Sequence, residues 1–336
     1  MNLDEADPRP GSGGRILVVG NANVDVLMGP LAPWPQTGTE TVVDHYELRV
    51  GGAAGNTGLA LAALTDGAGH AFDIIGTVGD DGMGRWLEQQ LSGVMTLTRV
   101  PASTGLTVGL NHPDGQRTFV SHLGHLEQLP LQRIEQALES ARSGDILLLC
   151  GYFLLPQLRE LAPELLAEAQ RRGVVTTLDT GWPTGGWTPE VRAEVMALLA
   201  SVDVFLPNRE ELVGVVGLDD KGHYSESTTT QALTQLQDSG CRRAVVKLGP
   251  NGALYFGPEG THRCSAPKVK VVDTVGAGDT FNAALLTAVQ RGADWRQALE
   301  PAVDAASLAI ASSPRRYPSW DELLADSGLN PSSVTR

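Results

Sequence analysis

The 336-residue chain has 42% hydrophobic and 19% charged residues, which is ordinary for a globular protein with a large core. Its net charge of −14 argues against non-specific nucleic-acid binding, which needs a basic surface. No apolar run approaches the roughly 18 residues that span a bilayer. Cys150, Cys241 and Cys264 lie far apart, without metal-ligand spacing. We therefore expect a cytoplasmic protein with reduced thiols and neither nucleic-acid nor membrane partners.

The two ends of the chain differ from the rest. Residues 1–14 are acidic and rich in Pro and Gly, and they lack the basic and apolar segments of a signal peptide. We predict a disordered N-terminal tail over 1–14, one folded domain over 15–326 and a loose C-terminal tail over 327–336.

Apolar and helical segments alternate along the domain. The sequence predicts strands over 15–19, 74–78, 146–150, 174–179, 202–206 and 244–247, and helices over 83–91, 134–138, 158–170 and 298–311. This alternation predicts an α/β fold with a doubly wound, mostly parallel sheet flanked by helices. The β-rich patches 39–50 and 105–122 have no helix of their own, so we assign both to a small separate sheet.

Polar residues follow the first predicted strand. Asn23 and Asp25 alternate, so both side chains would leave on one side of an extended segment. Ligands of open α/β sheets bind at the carboxyl ends of strands, and carboxylate and amide groups suit neighbouring hydroxyls. Taken alone, such residues are more often loop residues than ligands.

Three further turns carry candidate site residues. Gly51 and Gly52 bring the backbone near a ligand, and Asn56 begins or caps the helix that follows. Asn208 and Glu211 lie one helical turn apart, a pattern that, taken alone, more often marks a helix cap than a ligand site. The strand 244–247 leads into a turn that an ordinary β-hairpin would also supply, formed around Lys247, Gly249 and Gly252.

The most informative stretch opens a late helix. The turn Gly276-Ala277-Gly278 has almost no side chain, so its backbone N–H groups are free to face an anion at the positive end of the helix dipole. Asp279 lies in the first turn of the same helix. An anion cradle beside a carboxylate suits transfer of a phosphoryl group to an alcohol, although a lone motif of this kind serves equally as a helix cap.

The nine residues Asp273-Thr274-Val275-Gly276-Ala277-Gly278-Asp279-Thr280-Phe281 closely resemble the C-terminal signature of the ribokinase-like (PfkB) family of carbohydrate kinases. The segments 20–25 and 51–60 resemble further motifs of that family in the same order, and the resemblance covers about residues 15–320. It implies a ribokinase-like fold, a sugar kinase that uses ATP and Mg²⁺, and a β-sheet lid over the sugar formed by about 23–50 and 103–123. The lid of this family often serves for dimerisation, so a homodimer is expected.

The resemblance also implies a role for each matching residue. Asp279 would be the general base, and the amides of Gly276, Ala277 and Gly278 would form the anion hole. The expected sugar ligands are Asn23, Asp25, Gly51, Gly52 and Asn56. The nucleotide end would comprise Asn208, Glu211, Lys247, Gly249 and Gly252, with Glu211 holding Mg²⁺ through water. Asp273 would help to hold a monovalent cation such as K⁺.

The acceptor stays open among hexose, pentose, sugar acid and phosphosugar. Ala53 stands where ribokinase itself has Lys, and the Asn and Arg that often follow the aspartate at position 179 in this family are missing. Arg49, Arg117 and His122 of the lid are candidates for an anionic substituent. Two alternatives are a nucleoside kinase such as an adenosine kinase, and a non-catalytic sugar or nucleotide sensor. A dinucleotide oxidoreductase is disfavoured because no Gly-x-Gly-x-x-Gly opens the first helix.

Overall fold

The computed structural model describes residues 13–66, 71–113, 117–218, 225–312 and 315–327. Its strands are β1 (Ile16–Val19), β2 (Asn23–Gly29), β3 (His45–Gly51), β4 (Phe72–Gly79), β5 (Thr96–Val100), β6 (Leu106–Asn111), β7 (Arg117–His122), β8 (Ile146–Cys150), β9 (Val175–Asp179), β10 (Val204–Phe205), β11 (Ala244–Lys247), β12 (Ala253–Gly257) and β13 (Gly260–Cys264).

The α-helices of the described residues are α1 (Ala53–Leu64), α2 (Gly82–Gln90), α3 (Leu131–Glu139), α4 (Pro156–Arg171), α5 (Pro189–Leu199), α6 (Arg209–Val216), α7 (Glu226–Asp238), α8 (Ala277–Gln290), α9 (Leu299–Ile310) and α10 (Trp320–Ser327). Within the described ranges, no helix is long and apolar enough to cross a membrane.

The main sheet has nine strands in the order β13-β12-β11-β10-β9-β8-β1-β4-β5. All neighbours from β11 to β5 are parallel, and β12 and β13 add an antiparallel hairpin at one edge. Strand β1 is buried along its whole length because helices cover both faces of the sheet. Ile16 belongs to an apolar cluster that includes residues of α1, α8 and α9, whereas Leu17 belongs to a second cluster that includes residues of α3, α4 and α7. The predicted doubly wound fold is confirmed.

Four strands form a smaller sheet, the lid sheet, in the order β3-β2-β6-β7. The central pair β2 and β6 is parallel, and each outer strand is antiparallel to its neighbour. Since side chains alternate along a strand, the lid sheet has two distinct faces. Its inner face, which includes Asn23, Asp25, Thr107 and Phe119, lines a cleft against the main sheet. The predicted separate sheet therefore exists: the patch 105–122 contains β6 and β7, whereas in the patch 39–50 the strand begins only at His45.

Some elements differ from the sequence-based expectation. The strands β5 and β13 and the helices α5, α7 and α10 were not predicted, whereas β11 and β12 form the ordinary hairpin considered for the turn between them. Gly13 and Gly14, which we assigned to the tail, are held by α8: the Gly13 N–H donates to the Gln290 carbonyl (2.9 Å), and Gln290 Nε2 donates to the Gly14 carbonyl (2.6 Å). The rest of the predicted tails, 1–12 and 328–336, lies outside the described residues.

Candidate active site

A cleft of about 840 Å³ separates the inner face of the lid sheet from the carboxyl ends of the parallel strands. It collects most of the predicted site residues, although they come from five separate segments of the chain. Those that line it are Asn23, Asp25, Gly52, Asn56, Asn208, Glu211, Lys247, Gly249, Gly276, Ala277, Gly278 and Asp279. Three predicted residues, Gly51, Gly252 and Asp273, do not line the cleft but flank residues that do.

A buried row of polar side chains runs along β2 and the residues before it. Asn21 Nδ2 donates to Asn23 Oδ1 (3.1 Å), and Asn23 Nδ2 donates to Asp25 Oδ1 (2.8 Å). Burial raises the pKa of Asp25 to about 6, although the hydrogen bond from Asn23 opposes the shift. The sequence analysis missed Asn21, which the same two-residue alternation would have identified.

The glycine pair is needed for close approach to this row. A Cβ atom on Gly51 would lie 2.1 Å from Asp25 Oδ1, and one on Gly52 would lie 2.4 Å from the Asn21 carbonyl oxygen. Gly52 also has a φ of 83°, which side chains other than that of glycine rarely adopt. The two glycines thus let the start of α1 pack directly against the polar row.

The helix α8 begins at Ala277, and Asp279 lies in its first turn as predicted. Asn56 Nδ2 donates to Asp279 Oδ2 at 3.0 Å, which orients the carboxylate. Burial raises the pKa of Asp279 to about 7; the negative charge of Asp179 adds to the shift, and the positive charge of Lys247 opposes it. A carboxylate with a pKa near neutrality suits proton transfer at physiological pH.

The amides of the predicted anion hole are not equivalent. The Ala277 N–H donates to the Thr274 carbonyl (3.2 Å), so it closes the turn instead of facing the cleft, and its predicted role needs correction. Among the described residues, no acceptor contacts the amides of Gly276, Gly278 or Asp279. These three N–H groups at the start of α8 are the ones able to bind an anion.

Lys247 lies beside the same helix start. Its ammonium contacts Asp179 Oδ2 (2.7 Å), and a Cβ atom on Gly278 would lie 3.6 Å from the same ammonium. Asn282 Nδ2 also donates to Asp179 Oδ2 (2.5 Å). Burial alone would lower the pKa of Lys247, but the charges of Asp179 and Glu211 raise it above its usual value. Neither Asp179 nor Asn282 was predicted as a site residue, although Asp179 ends a parallel strand.

Asn208 and Glu211 form the reciprocal hydrogen bonds of a helix N-cap. The Glu211 N–H donates to Asn208 Oδ1 (2.8 Å), and the Asn208 N–H donates to Glu211 Oε2 (2.8 Å). Burial raises the pKa of Glu211 to about 7, and the charge of Asp179 adds to this. Within the described part of the chain, no group of three or more acidic, His or Cys side chains is arranged to hold a metal. The residues fit a water-mediated Mg²⁺ contact, because Mg²⁺ keeps several waters and binds nucleotide phosphates.

The side chain of Asp273 is held by guanidinium groups. It pairs with Arg49 of β3, with Arg117 of β7 (2.7 Å) and with Arg315, which lies between α9 and α10 (3.4 Å). Burial would raise the pKa of Asp273, but the hydrogen bonds from Arg49 and Arg117 and from the Val275 amide hold it well below its usual range. This set of partners does not fit the monovalent cation predicted for the Asp273 side chain, because arginines already surround the carboxylate.

Arg49 and Arg117 of the lid sheet therefore bind a carboxylate of the protein itself and not the anionic substituent of an acceptor considered for them. Arg49 and Arg117 bind Asp273 and do not line the cleft. His122 Nε2 contacts the Ser103 hydroxyl at 2.7 Å. Arg315, which the sequence analysis missed, also donates to Asn56 Oδ1 (3.3 Å) and so connects Asp273 to the partner of Asp279.

Comparison with known proteins places these features in a family. The family model described as pfkB family carbohydrate kinase matches residues 14–322. An aminoimidazole riboside kinase of Salmonella typhimurium is 31% identical over 297 residues, which cover 85% of this chain and 84% of that relative. Ribokinase of Arabidopsis thaliana, solved with ribose and ATP, has a TM-score of 0.77 at 24% identity and covers 95% of this chain and 100% of its own. A potassium complex of phosphofructokinase-2 from Escherichia coli has a TM-score of 0.71 at 22% identity and covers 96% and 100%.

The chain belongs to the pfkB family of carbohydrate kinases. The predicted family, fold and enzyme class are confirmed, and the chain is an ATP-dependent kinase for sugar or nucleoside acceptors. The roles of individual site residues stay predictions.

Proposed function

We propose that this kinase transfers the γ-phosphoryl group of ATP to a primary hydroxyl of a sugar, with Asp279 as the general base. The hydroxyl oxygen forms a bond to the γ-phosphorus, and the bond from that phosphorus to the β,γ-bridging oxygen breaks. The hydroxyl proton passes to Asp279, and ADP leaves with the bridging oxygen.

The other residues of the cleft have supporting roles in this proposal. Asn23, Asp25 and Asn56 bind the sugar hydroxyls, and the amides of Gly276 and Gly278 stabilise the charge of the transferring group. Lys247 places a further positive charge at the same helix start. Asn208 and Glu211 would hold Mg²⁺ through water, and the metal supplies neutralisation of the phosphate charges.

One observation carries the proposal: the hydrogen bond of 3.0 Å between Asn56 and Asp279. It joins the helix start that presents free amides to α1, whose Ala54 and Gly55 amides donate to the Asn21 carbonyl beside the polar row. A proton acceptor, an anion-binding site and a set of groups suited to hydroxyls thus meet in one cleft. Kinase chemistry needs these parts within reach of one another.

The test compares Asp279→Asn with the parent enzyme in an assay of ADP release. Loss of the general base is expected to lower kcat about 10²–10⁴-fold, whereas KM for the sugar changes much less. The matched control is Asp80→Asn. The side chain of Asp80 is exposed, follows β4 and does not line the cleft, so this variant should keep full activity. Near-normal turnover of Asp279→Asn would refute the assigned role.

A nucleoside acceptor is the second candidate, and one feature of the cleft favours it. Phe119 of the lid sheet, Phe153 and Trp182 line the same space. Trp182 is 57% exposed and Phe119 is 52% exposed, so both present apolar surface to whatever enters. A flat base attached to the sugar would cover this surface. A panel of free sugars and nucleosides, read as ADP release, distinguishes the two candidates, and absence of turnover with every acceptor would favour the sensor alternative.

We also propose that the enzyme is a homodimer through the outer face of the lid sheet. Tyr46 of β3 and Val120 of β7 lie on this face and are 68% and 61% exposed. Between them lie Val26 of β2, paired with Leu48, and Val108 of β6, paired with Val120. An exposed apolar strip of this kind supports association with a second copy.

A further inference from the structure

Three arginines from distant parts of the chain contact the carboxylate of Asp273. The positions of Arg49, Arg117 and Arg315 are separated from Asp273 by 224, 156 and 42 residues. The side chain of Asp273 is 6% exposed and that of Arg315 is 8% exposed, so little water screens these charges.

These contacts occupy both oxygens of the carboxylate. Oδ1 accepts from Arg117 Nη1 (2.7 Å) and from the Val275 N–H (3.0 Å). Oδ2 accepts from Arg49 Nη1 and from Arg315 Nη2 (3.4 Å). A cation bound to this carboxylate would have to displace a guanidinium group.

Other carboxylates share these arginines. Glu47 contacts Arg49 at 2.5 Å. The charges of Arg49 and Arg315 also act on Asp25. That of Arg315 acts on Asp279 as well. A further cation is disfavoured because the oxygens of Asp273 are occupied and the guanidinium groups already supply the positive charge that a cation would bring.

Asp273 controls the turn that leads into the anion hole. The Val272 and Asp273 N–H groups both donate to the Ile310 carbonyl (2.8 and 3.1 Å), which fixes the start of the turn. The Val275 N–H then donates to Asp273 Oδ1, which fixes the backbone just before Gly276. Whatever positive charge stabilises the Asp273 carboxylate therefore helps to shape the amides at the start of α8.

We propose that the guanidinium groups of Arg49, Arg117 and Arg315 take the place of a monovalent cation at Asp273, so that this kinase turns over without K⁺. The inference rests on the proposed function, because the turn it concerns leads to the anion hole. Two of the three charges come from the lid sheet, so the lid contributes to this turn in addition to covering the acceptor.

The first experiment measures the full-length enzyme in potassium chloride and in tetramethylammonium chloride of equal ionic strength. The rates of ADP release are expected to agree within about 5-fold, the lower limit of ordinary coupling between sites. The midpoint of thermal unfolding should also be the same in the two salts, since an ion that bound only the native state would raise it. A larger activation by K⁺, or a K⁺-specific rise in the midpoint, would overturn the proposal.

The second experiment removes one guanidinium group. Arg117→Ala is expected to lose more than about 5-fold in kcat, and low millimolar guanidinium ion or K⁺, but not tetramethylammonium, should restore part of the loss. Arg99→Ala is the matched control, because Arg99 pairs with Asp80 and Glu88 outside this cluster. Unchanged activity, or a loss that neither cation restores, counts against the proposal.

Failure of this inference is distinguishable from failure of the proposed function. The unfolding midpoints in the two salts need no acceptor, so they report on the Asp273 site even if no substrate turns over. If Arg117→Ala does not fold, the two salts applied to the parent enzyme still decide the matter.

Discussion

At the scale of single residues, the cleft contains carboxyl groups whose pKa is raised because they are buried. The pKa of Asp279 is raised to about 7 and that of Asp25 to about 6, and burial is the largest cause in both. Asp279 must be ionised to accept a proton. In the proposed mechanism, its raised pKa therefore places the ionisation of the general base close to neutral pH.

The pH dependence of kcat/KM follows from this shift. Below about pH 7 Asp279 binds a proton and loses its basic function, so kcat/KM is expected to fall about tenfold per pH unit. Steady-state rates between pH 5 and 9 with saturating ATP test this expectation. A profile that stays flat down to pH 5 would contradict it.

The variant Asp179→Asn tests the direction in which the pKa of Asp279 is shifted. The negative charge of Asp179 raises the pKa of Asp279, so Asp179→Asn should move the midpoint of the kcat/KM profile to lower pH. The exposed Asp80→Asn serves again as control and should leave the midpoint unchanged. A midpoint that moves upward in Asp179→Asn would show that another group controls the rate.

Among the elements, β3 and α1 meet the polar row at the glycine pair. Because a Cβ atom on Gly51 would lie 2.1 Å from Asp25 Oδ1, the variant Gly51→Ala must displace that carboxylate. Overpacking of this kind costs about 1–3 kcal/mol, so KM for the acceptor is expected to rise roughly tenfold. KM for ATP should change less, since the nucleotide end of the cleft comes from other segments.

Kinetic constants for both substrates check the Gly51→Ala expectation. Gly82→Ala, at the start of α2, is the matched control, because the added Cβ atom would meet only Arg85 Nη2 at 3.9 Å. An equal rise of both KM values in Gly51→Ala would indicate a general loss of structure instead of a displaced Asp25.

The sequence predicts those strands and helices whose formation depends mainly on a clear apolar pattern. The strands Ile146–Cys150 and Ala244–Lys247 were predicted with both bounds correct, because the first is apolar throughout, the second is apolar up to its final Lys247, and the apolar residues of both become buried. The helix α7 was missed because Thr and Gln are frequent in it and only one stripe is buried. The strand β13 was missed because its residues are exposed or half-buried and form no apolar run.

Contacts between distant residues were beyond the reach of local patterns. Nothing near Asp273 indicates that Arg49 and Arg117 of the lid sheet would reach it, or that Arg315 would contact Asn56. The motif did predict that Asp279 opens a helix beside free amides. It did not predict that the Ala277 amide would be used within the turn, because that depends on the exact course of the backbone.

At the scale of the whole molecule, the lid sheet joins the catalytic cleft on one face to exposed apolar surface on the other. If the outer face forms a homodimer, Tyr46→Lys combined with Val120→Lys should convert it to a monomer by placing like charges in the interface. Light scattering coupled to size-exclusion chromatography measures the mass directly. The control is Val42→Lys, which lies outside the lid strands and is 85% exposed. A parent enzyme with monomeric mass would refute the proposed dimer.

The alternation along β2 has a consequence for how this protein can diverge. Asn23 and Asp25 point into the cleft, whereas Val24 and Val26 point away, so one strand combines the proposed hydroxyl recognition with apolar packing. Inserting or deleting a single residue there would exchange the two sets of side chains. Length changes in relatives should therefore be confined to the connections at the strand ends, where acceptor preference can evolve without inverting the strand.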